Sequence, residues 1–291
     1  MDDLLGSVRA FGRCPNAHLV VFALDDSSAL DQVASRHGAT VVHCRPRRSL
    51  NPTSKAVLYA VARVIPAERF LCLDADMLVL GDLGPLFSAI DACLSSAVLI
   101  CRDNEQVRHL SAALDDVYGR GADPPFFARR SAVGVYPLVV NDGLLAASGP
   151  AMRAFEAELR ALPDVVRWVD ERADIPWRNQ FAANVALAKA GTAVELDPTW
   201  NMQLNTHSVD VDGRHVRWRG REVRVLHFNG ADSKRRHGAL RDTIRAELRV
   251  APSADTGRTR RYHHGPQHQN HGGVGAAGQP AGAAPDLEIA R

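Results

Sequence analysis

Residues 69–82 read RFLCLDADMLVLGD, and this stretch restricts the possible folds more than any other part of the chain. Phe70 to Leu73 form a short apolar run of the kind buried on both faces of a sheet with helices around it. Asp74 and Asp76 follow at once, where the strand leaves the sheet. Ligands of open α/β sheets bind at such carboxyl ends, and acids at the edge of a core need a partner. Two carboxylates one residue apart repel each other unless a cation lies between them. Hard divalent ions such as Mg²⁺ and Mn²⁺ take carboxylate oxygens and keep positions open for phosphate. Solvated strand-to-loop turns show the same spacing, so the spacing alone leaves both readings open.

The flanking chain alternates strands and helices. Leu4, Leu5, Val8 and Phe11 recur at helical spacing behind Asp2 and Asp3, and Cys14-Pro15-Asn16 ends that helix. His18 to Leu24 reads as a buried strand capped by Asp25-Asp26. Ala29 to His37 reads as a helix stopped by Gly38, and Thr40 to Cys44 as a strand. Asn51 to Ile65 is expected to be helical, with Pro52 in its first turn and Lys55 pointing from it. After the acidic stretch come a helix over Leu83–Leu94 and a strand over Ala97–Cys101. Residues 103–131, with Gly119, Gly121, Pro124 and Pro125, read as a loop able to fold over a substrate. Tyr136–Val140 reads as a strand running into Asn141-Asp142-Gly143, with helices from Gly149 to about Leu162 and from Trp177 to Ala190. Strands are expected over Ala193–Leu196 and Val223–Phe228, and Trp200-Asn201 is a candidate lining of a donor pocket. The alternation predicts an α/β fold with a largely parallel sheet.

Composition narrows the functional classes. The 46% hydrophobic and 23% charged fractions are ordinary for a globular protein, and the net charge of +2 gives no electrostatic case for nucleic acid. Five cysteines (Cys14, Cys44, Cys72, Cys93, Cys101) include no C-x-x-C pair, which points to a reduced, cytoplasmic setting. No apolar run approaches a membrane span, and no signal peptide is read. Residues 1–250 are expected to form one domain. Residues 251–291, rich in Gly, Ala, Pro, His and Gln, are expected to be a disordered tail, its His263, His264, His268 and His271 a solvated linker.

Five segments in a shared order now carry a resemblance. They are Thr53-Ser54-Lys55, Leu73 to Leu80 with Leu86-Phe87, Asn141-Asp142-Gly143, Asn179-Gln180 with Asn184, and His227-Phe228-Asn229-Gly230 with Lys234. Over roughly residues 18–236 the chain resembles the glycogenin-like class of retaining nucleotide-sugar glycosyltransferases, family 8, with the GT-A fold. That fold is a Rossmann-like mixed, mostly parallel sheet flanked by helices.

The resemblance implies metal-dependent transfer of a sugar from a nucleotide-diphosphate donor, a UDP-sugar, with retention of configuration. The acceptor, whether small molecule, glycan or protein, and the oligomeric state stay open. Asp76 and His227 would hold Mn²⁺ or Mg²⁺, with Asp74 bridging metal and ribose. Lys55 and Lys234 would meet the phosphates, with Gly230 and Asn184 as further donor-binding positions. Asn141 and Gln180 would face the sugar. Asp142, where the family usually has Ser or Ala, adds a carboxylate near the acceptor side that could act as a base or orient the acceptor hydroxyl, and Asn179 stands near the reaction centre where the family has an acid.

Three departures alter the expectation. The family's first strand, which contacts base and ribose, has no counterpart ahead of Asp2, which leaves two expectations: a start assigned too late, or a sheet without that strand. Lys234 lies one residue further from His227 than in the family and is followed by Arg235-Arg236, which shifts the expected pyrophosphate contact toward an arginine. Asn179 replaces an acidic residue. The rival reading is a Mg²⁺-dependent phosphatase of the haloacid-dehalogenase type, in which the first Asp is the nucleophile. Leu78 stands where that class has Thr or Val. A non-catalytic GT-A chain serving as a binding module is the third reading.

Overall fold

Strands with both faces buried form the centre of the molecule, as the apolar runs require. In chain order the elements are α1 (Asp2–Phe11), β1 (Val20–Ala23), α2 (Ser28–Arg36), β2 (Thr40–Arg45), α3 (Val61–Val64), β3 (Arg69–Leu73), β4 (Met77–Val79), α4 (Gly84–Ala92) and β5 (Val98–Arg102). Then follow β6 (Val140–Ser148), α5 (Gly149–Arg160), α6 (Arg178–Ala190), β7 (Ala193–Leu196), a 3₁₀ turn (Pro198–Trp200) and β8 (Met202–Gln203). The chain continues through β9 (Asp210–Asp212), β10 (His215–Trp218), β11 (Arg221–Glu222), β12 (Val225–His227), α7 (Ala231–Arg236), α8 (Gly238–Val250) and β13 (Glu288–Ile289). This computed structural model describes residues 1–23, 28–45, 61–103, 140–162, 178–250 and 288–289. Lys55, Asp25, Asp26, the loop expected over 103–131 beyond Asp103, and the strand residues 136–139 lie outside them. Of the segment 251–291, only the short β13 is described; it pairs antiparallel with β2.

The central sheet has the order β3-β6-β5-β7 and is mixed. β7 runs parallel to β5, whereas β6 is antiparallel to both β3 and β5. Successive residues of these strands alternate between two cores. Phe70, Cys72, Val98, Ile100 and Leu145 pack on Met152, Phe155 and Leu159 of α5 and Ala183 and Leu187 of α6. Leu99, Cys101, Leu144 and Ala146 pack on Leu4 and Val8 of α1 and Leu86 and Ile90 of α4. Leu144 to Ala147 are completely buried, which accounts for an apolar run with no polar alternation.

β6 begins at Val140 and carries Asn141, Asp142 and Gly143 within it, where the sequence reads as the end of a strand and a turn. The register shows why. Ile100 pairs with Leu145, but the next residue, Cys101, pairs with Asn141. Residues 142–144 are therefore looped out from β5, while Leu144 still pairs with Leu73 and the Asp74 N–H donates to the Gly143 carbonyl at 2.9 Å. Such a bulge bends one strand and re-aims its side chains. Here it turns the polar head of β6 toward the acidic corner after β3.

A second sheet, β4-β12-β8, starts at that corner. The chain leaves the first sheet at Leu73, turns through Asp74-Ala75-Asp76 with a Met77 N–H to Asp74 carbonyl bond of 3.2 Å, and enters the second as β4. β1 and β2 form a parallel pair, with Gly38 before β2 at φ +59°, a left-handed conformation that suits glycine. β9, β10 and β11 form a small antiparallel meander. No disulfide joins cysteines among the described residues. No helix among them is long and apolar enough to cross a membrane.

Helix α1 holds β4 through one buried hydroxyl. Ser7 is fully buried; its Oγ donates to the Leu4 carbonyl at 2.8 Å and accepts the Val79 N–H at 3.0 Å. Ser7→Ala strands that amide in the core and is predicted to lower the unfolding free energy by about 1–3 kcal/mol. The readout is a lower urea midpoint at unchanged slope; an unmoved midpoint contradicts this account of the α1–β4 contact.

Candidate metal centre and adjoining cavity

Pairing of β4 with β12 assembles the centre from residues about 150 positions apart. Val225 lies opposite Val79, Leu226 opposite Leu78 and His227 opposite Met77, and the Phe228 N–H donates to the Asp76 carbonyl at 3.0 Å. That register brings His227 to the acidic corner. Its Nε2 lies 3.4 Å from Asp76 Oδ1 and 3.8 Å from Asp74 Oδ2. One ligand atom from each of the three residues lies within 4.8 Å of the others. His227 is buried, while both acids are half-exposed on the cavity side.

The orientation of the imidazole follows from a chain of directional hydrogen bonds. The Gly143 backbone N–H, which can only donate, bonds to Asn141 Oδ1 at 3.0 Å and so fixes which way that amide faces. Asn201 Nδ2 donates to the same oxygen at 2.9 Å, which turns Asn201 Oδ1 toward His227. His227 Nδ1 lies 3.0 Å from that oxygen and must donate to it. Nε2 is then the ring nitrogen that faces Asp74 and Asp76, the one available to a metal once it gives up its proton. Three ligand atoms converge closely enough to hold a metal ion between them. Two carboxylates and one imidazole, with no thiolate, fit a divalent ion that accepts oxygen and nitrogen together.

Electrostatics agree with that picture. Burial by itself would raise the Asp76 carboxyl, but a hydrogen bond and charge from a protonated His227, together with those of Lys234, outweigh it and hold its pKa at about 2. Without a metal the ring's Nε2 carries a proton toward Asp76, and a metal would take that proton's place. Lys234, on α7, places Nζ 3.1 Å from Asp76 Oδ2. A cavity of about 400 Å³ opens beside the corner, lined by Asp3, Asp74, Asp76, Phe228, Lys234 and Arg241 among others. Arg235 and Arg236 are exposed on α7 and do not line it, so the arginine at this cavity is one that the motif spacing does not reveal.

A buried amide cluster backs the centre. Asn141 Nδ2 donates to Asp103 Oδ1 at 2.9 Å and to Gln180 Oε1 at 3.1 Å. Gln203 donates to the carbonyls of Arg102 and Asp103, and its Oε1 accepts from Asn229 at 3.2 Å. Asn229 Oδ1 is buried without a partner among the described residues. Burial raises the Asp103 carboxyl above its ordinary range, and the bonds from Asn141 and Gln180 offset this only in part.

The sequence candidates thus fall into distinct positions. Asp74, Asp76, His227 and Lys234 meet at the corner, and Asn141 and Gln180 lie together behind it. Asn184 bonds the Val140 backbone at both N–H and carbonyl, and also the Gln180 carbonyl, so it braces the start of β6. Asp142 is buried beside this cluster, and Gly230 caps α7. Asn179 lies in the first turn of α6 with its side chain outside the described residues, as is all of Lys55. Asp103 and Gln203 were not expected. Each stands alone in sequence, with no spacing pattern to mark it. Trp200 packs in the core beside α4, leaving Asn201 as the member of that pair that reaches the centre.

No protein-family model matches this chain, and no curated protein matches it in sequence. Among solved structures it is similar to the galactosyltransferase LgtC in complex with donor and acceptor sugar analogues, at 15% identity and TM-score 0.53, over 88% of this chain and 94% of that one. It is similar to an active-site glutamine-to-glutamate variant of LgtC at 16% identity and TM-score 0.52, over 84% and 91%. It is also similar to the bifunctional glycosyltransferase WbbM at 14% identity and TM-score 0.53, over 86% of this chain and 47% of that larger one. The chain has the fold of these proteins, the GT-A fold expected from the sequence.

If His227 ligates a metal at this candidate centre, removing its hydrogen-bond partner is predicted to weaken that binding. Asn201→Ala should lower Mn²⁺ affinity by about 10- to 100-fold, measured by the free-ion signal in electron paramagnetic resonance. Asn201→Asp keeps an acceptor for Nδ1 and should retain more of the affinity. Equal affinity in wild type and Asn201→Ala removes Asn201 from the centre.

Proposed function

We propose that this chain is a glycosyltransferase that moves a sugar from a nucleotide-diphosphate donor, a UDP-sugar, to an acceptor hydroxyl with retention of configuration. The convergence of Asp74, Asp76 and His227 beside a cavity holding two cationic side chains carries the reading. The GT-A fold and the order of the five sequence segments support it. Asp76 and His227 would hold Mn²⁺, or Mg²⁺, with Asp74 turned to both ion and ribose. When bound, such an ion supplies Lewis-acid stabilisation of the negative charge that grows on the departing diphosphate.

The remaining steps belong to the chain's own side chains. Lys234 exchanges part of its contact with Asp76 for a phosphate oxygen, adding a point charge to the leaving group. The Lys55 role as a second phosphate contact rests on the sequence resemblance. Gln180 is proposed to offer its amide N–H to the sugar. Asn141, whose amide is fully used by Gly143, Asn201, Asp103 and Gln180, faces the same site and holds Gln180 in place before the reaction begins. Asp103, whose raised pKa favours keeping or taking a proton, and Asp142 are the acids next to that cluster and the candidates for orienting the acceptor hydroxyl. Asn184 acts through Val140 and Gln180. Asn179 is proposed to stand at the reaction centre by its place in the motif. The reaction is soluble-phase chemistry in the cytoplasm, with no nucleic-acid partner.

Incubation with Mn²⁺ and a panel of nucleotide sugars should release free nucleoside diphosphate. Asp76→Ala is predicted to lower that turnover by at least about a hundredfold, the equivalent of ~3 kcal/mol of transition-state stabilisation. Excess chelator should do the same to wild type. Wild-type rates in either case would falsify the metal assignment, and inorganic phosphate as the product would favour a phosphatase instead.

A further inference from the structure

Carboxylates outnumber cationic side chains in the lining of the cavity beside the acidic corner. Asp3, Asp74 and Asp76 contribute three carboxylates, against Lys234 and Arg241. Lys234 is already paired with Asp76 at 3.1 Å. A ligand carrying phosphate charge therefore needs a further donor in this wall, and Arg241 is the guanidinium present there.

Arg241 is also held in a fixed pose. Its Nε and Nη2 both donate to Asp3 Oδ2, at 3.0 and 2.8 Å, which ties α8 to the first turn of α1. The side chain is half-buried, 34% exposed, and the bonds to Asp3 use Nε and Nη2, not Nη1. Arg245 bonds Asp3 as well, with Nε 2.8 Å from Oδ1, and reaches Asp242 at 3.3 Å, but it does not line the cavity. Asp3, whose carboxyl burial alone would raise, is held below its ordinary range by these two arginines. Removing Arg241 therefore leaves Asp3 paired. A guanidinium clamped in this way presents a planar fork to phosphate oxygens with less side-chain entropy left to lose than a free lysine.

We infer that Arg241, positioned by Asp3, is a donor-binding residue that contacts the diphosphate of the nucleotide in the cavity it lines with Lys234. This inference rests on the reading of the cavity as a nucleotide-diphosphate site. It assigns the anionic contact that neither Arg235 nor Arg236 is placed to make.

Calorimetric titration of the full chain with UDP in the presence of Mn²⁺ tests it. Arg241→Gln is expected to weaken UDP binding by about 10- to 100-fold, and Arg241→Lys by less. Arg245→Gln, which disturbs the same network outside the cavity, should bind UDP within about twofold of wild type. In turnover assays Arg241→Gln should raise the donor KM far more than it lowers kcat. Wild-type UDP affinity in Arg241→Gln overturns the inference and leaves the proposed function standing. An equal loss in Arg245→Gln overturns it too, since the effect would then be structural. Absence of nucleoside-diphosphate binding by wild type overturns both.

Discussion

The geometry of the centre depends on one backbone amide. The Gly143 N–H has no freedom to accept, so it sets Asn141, which sets Asn201, which sets the proton on His227. Each amide in that series could be turned over if its neighbours allowed it. None can be without stranding a buried donor or acceptor, at about 1–3 kcal/mol each. A preference of that size leaves essentially one arrangement of these amides, with Nδ1 donating to Asn201 and Nε2 on the acidic side. Gly143 is also where His227 packs: a Cβ there would lie 2.5 Å from its ring Cε1 and 2.7 Å from Met77 Cε. The same residue thus starts the hydrogen-bond series and makes room for its end.

The bulge in β6 makes this arrangement compatible with a sheet. A regular strand would pair Cys101 with Leu144 and keep Asn141 to Gly143 beyond the end of β3. Looping out three residues lets β6 serve β5 and β3 in different registers, so the polar head of the strand curls over the Asp74 corner. Below it, Leu144 to Ala147 lie between two helical layers and hold the bend against close-packed side chains. Precision at the centre is inherited from a core that admits no slack. Ser7, pinning β4 from α1, applies the same principle from the other face.

How much of this could be read from residues alone differs from one element to the next. The strand ending at Leu73 was readable from its composition, as were α1, α2, α4 and the left-handed Gly38, because these are local matters of periodicity and capping. β4 was not distinguished from the turn before it, and Asn141-Asp142-Gly143 read as a loop. In both places the local chemistry says turn, and a partner strand far along the chain overrides it. Asn184 and Gln180 share a helix face, but only coordinates separate the brace from the residue at the cluster. Asp103, Gln203 and Arg241 carry no local signal at all. Each is an ordinary polar residue until packing brings it beside the others.

The sequence by itself determined the layered α/β class, the acidic corner at the end of a buried strand, and the kinds of side chain able to meet there. Those properties follow from hydrophobic spacing and from the chemistry of single residues. The meeting of His227 with Asp76 was expected from the resemblance; only the tertiary structure decided that Asn201 orients the imidazole and that Arg241 with Asp3 walls the cavity. These contacts join positions roughly 26 to 240 residues apart. They depend on strand register and helix packing, which arise from the burial of many side chains at once and leave no mark on any one of them.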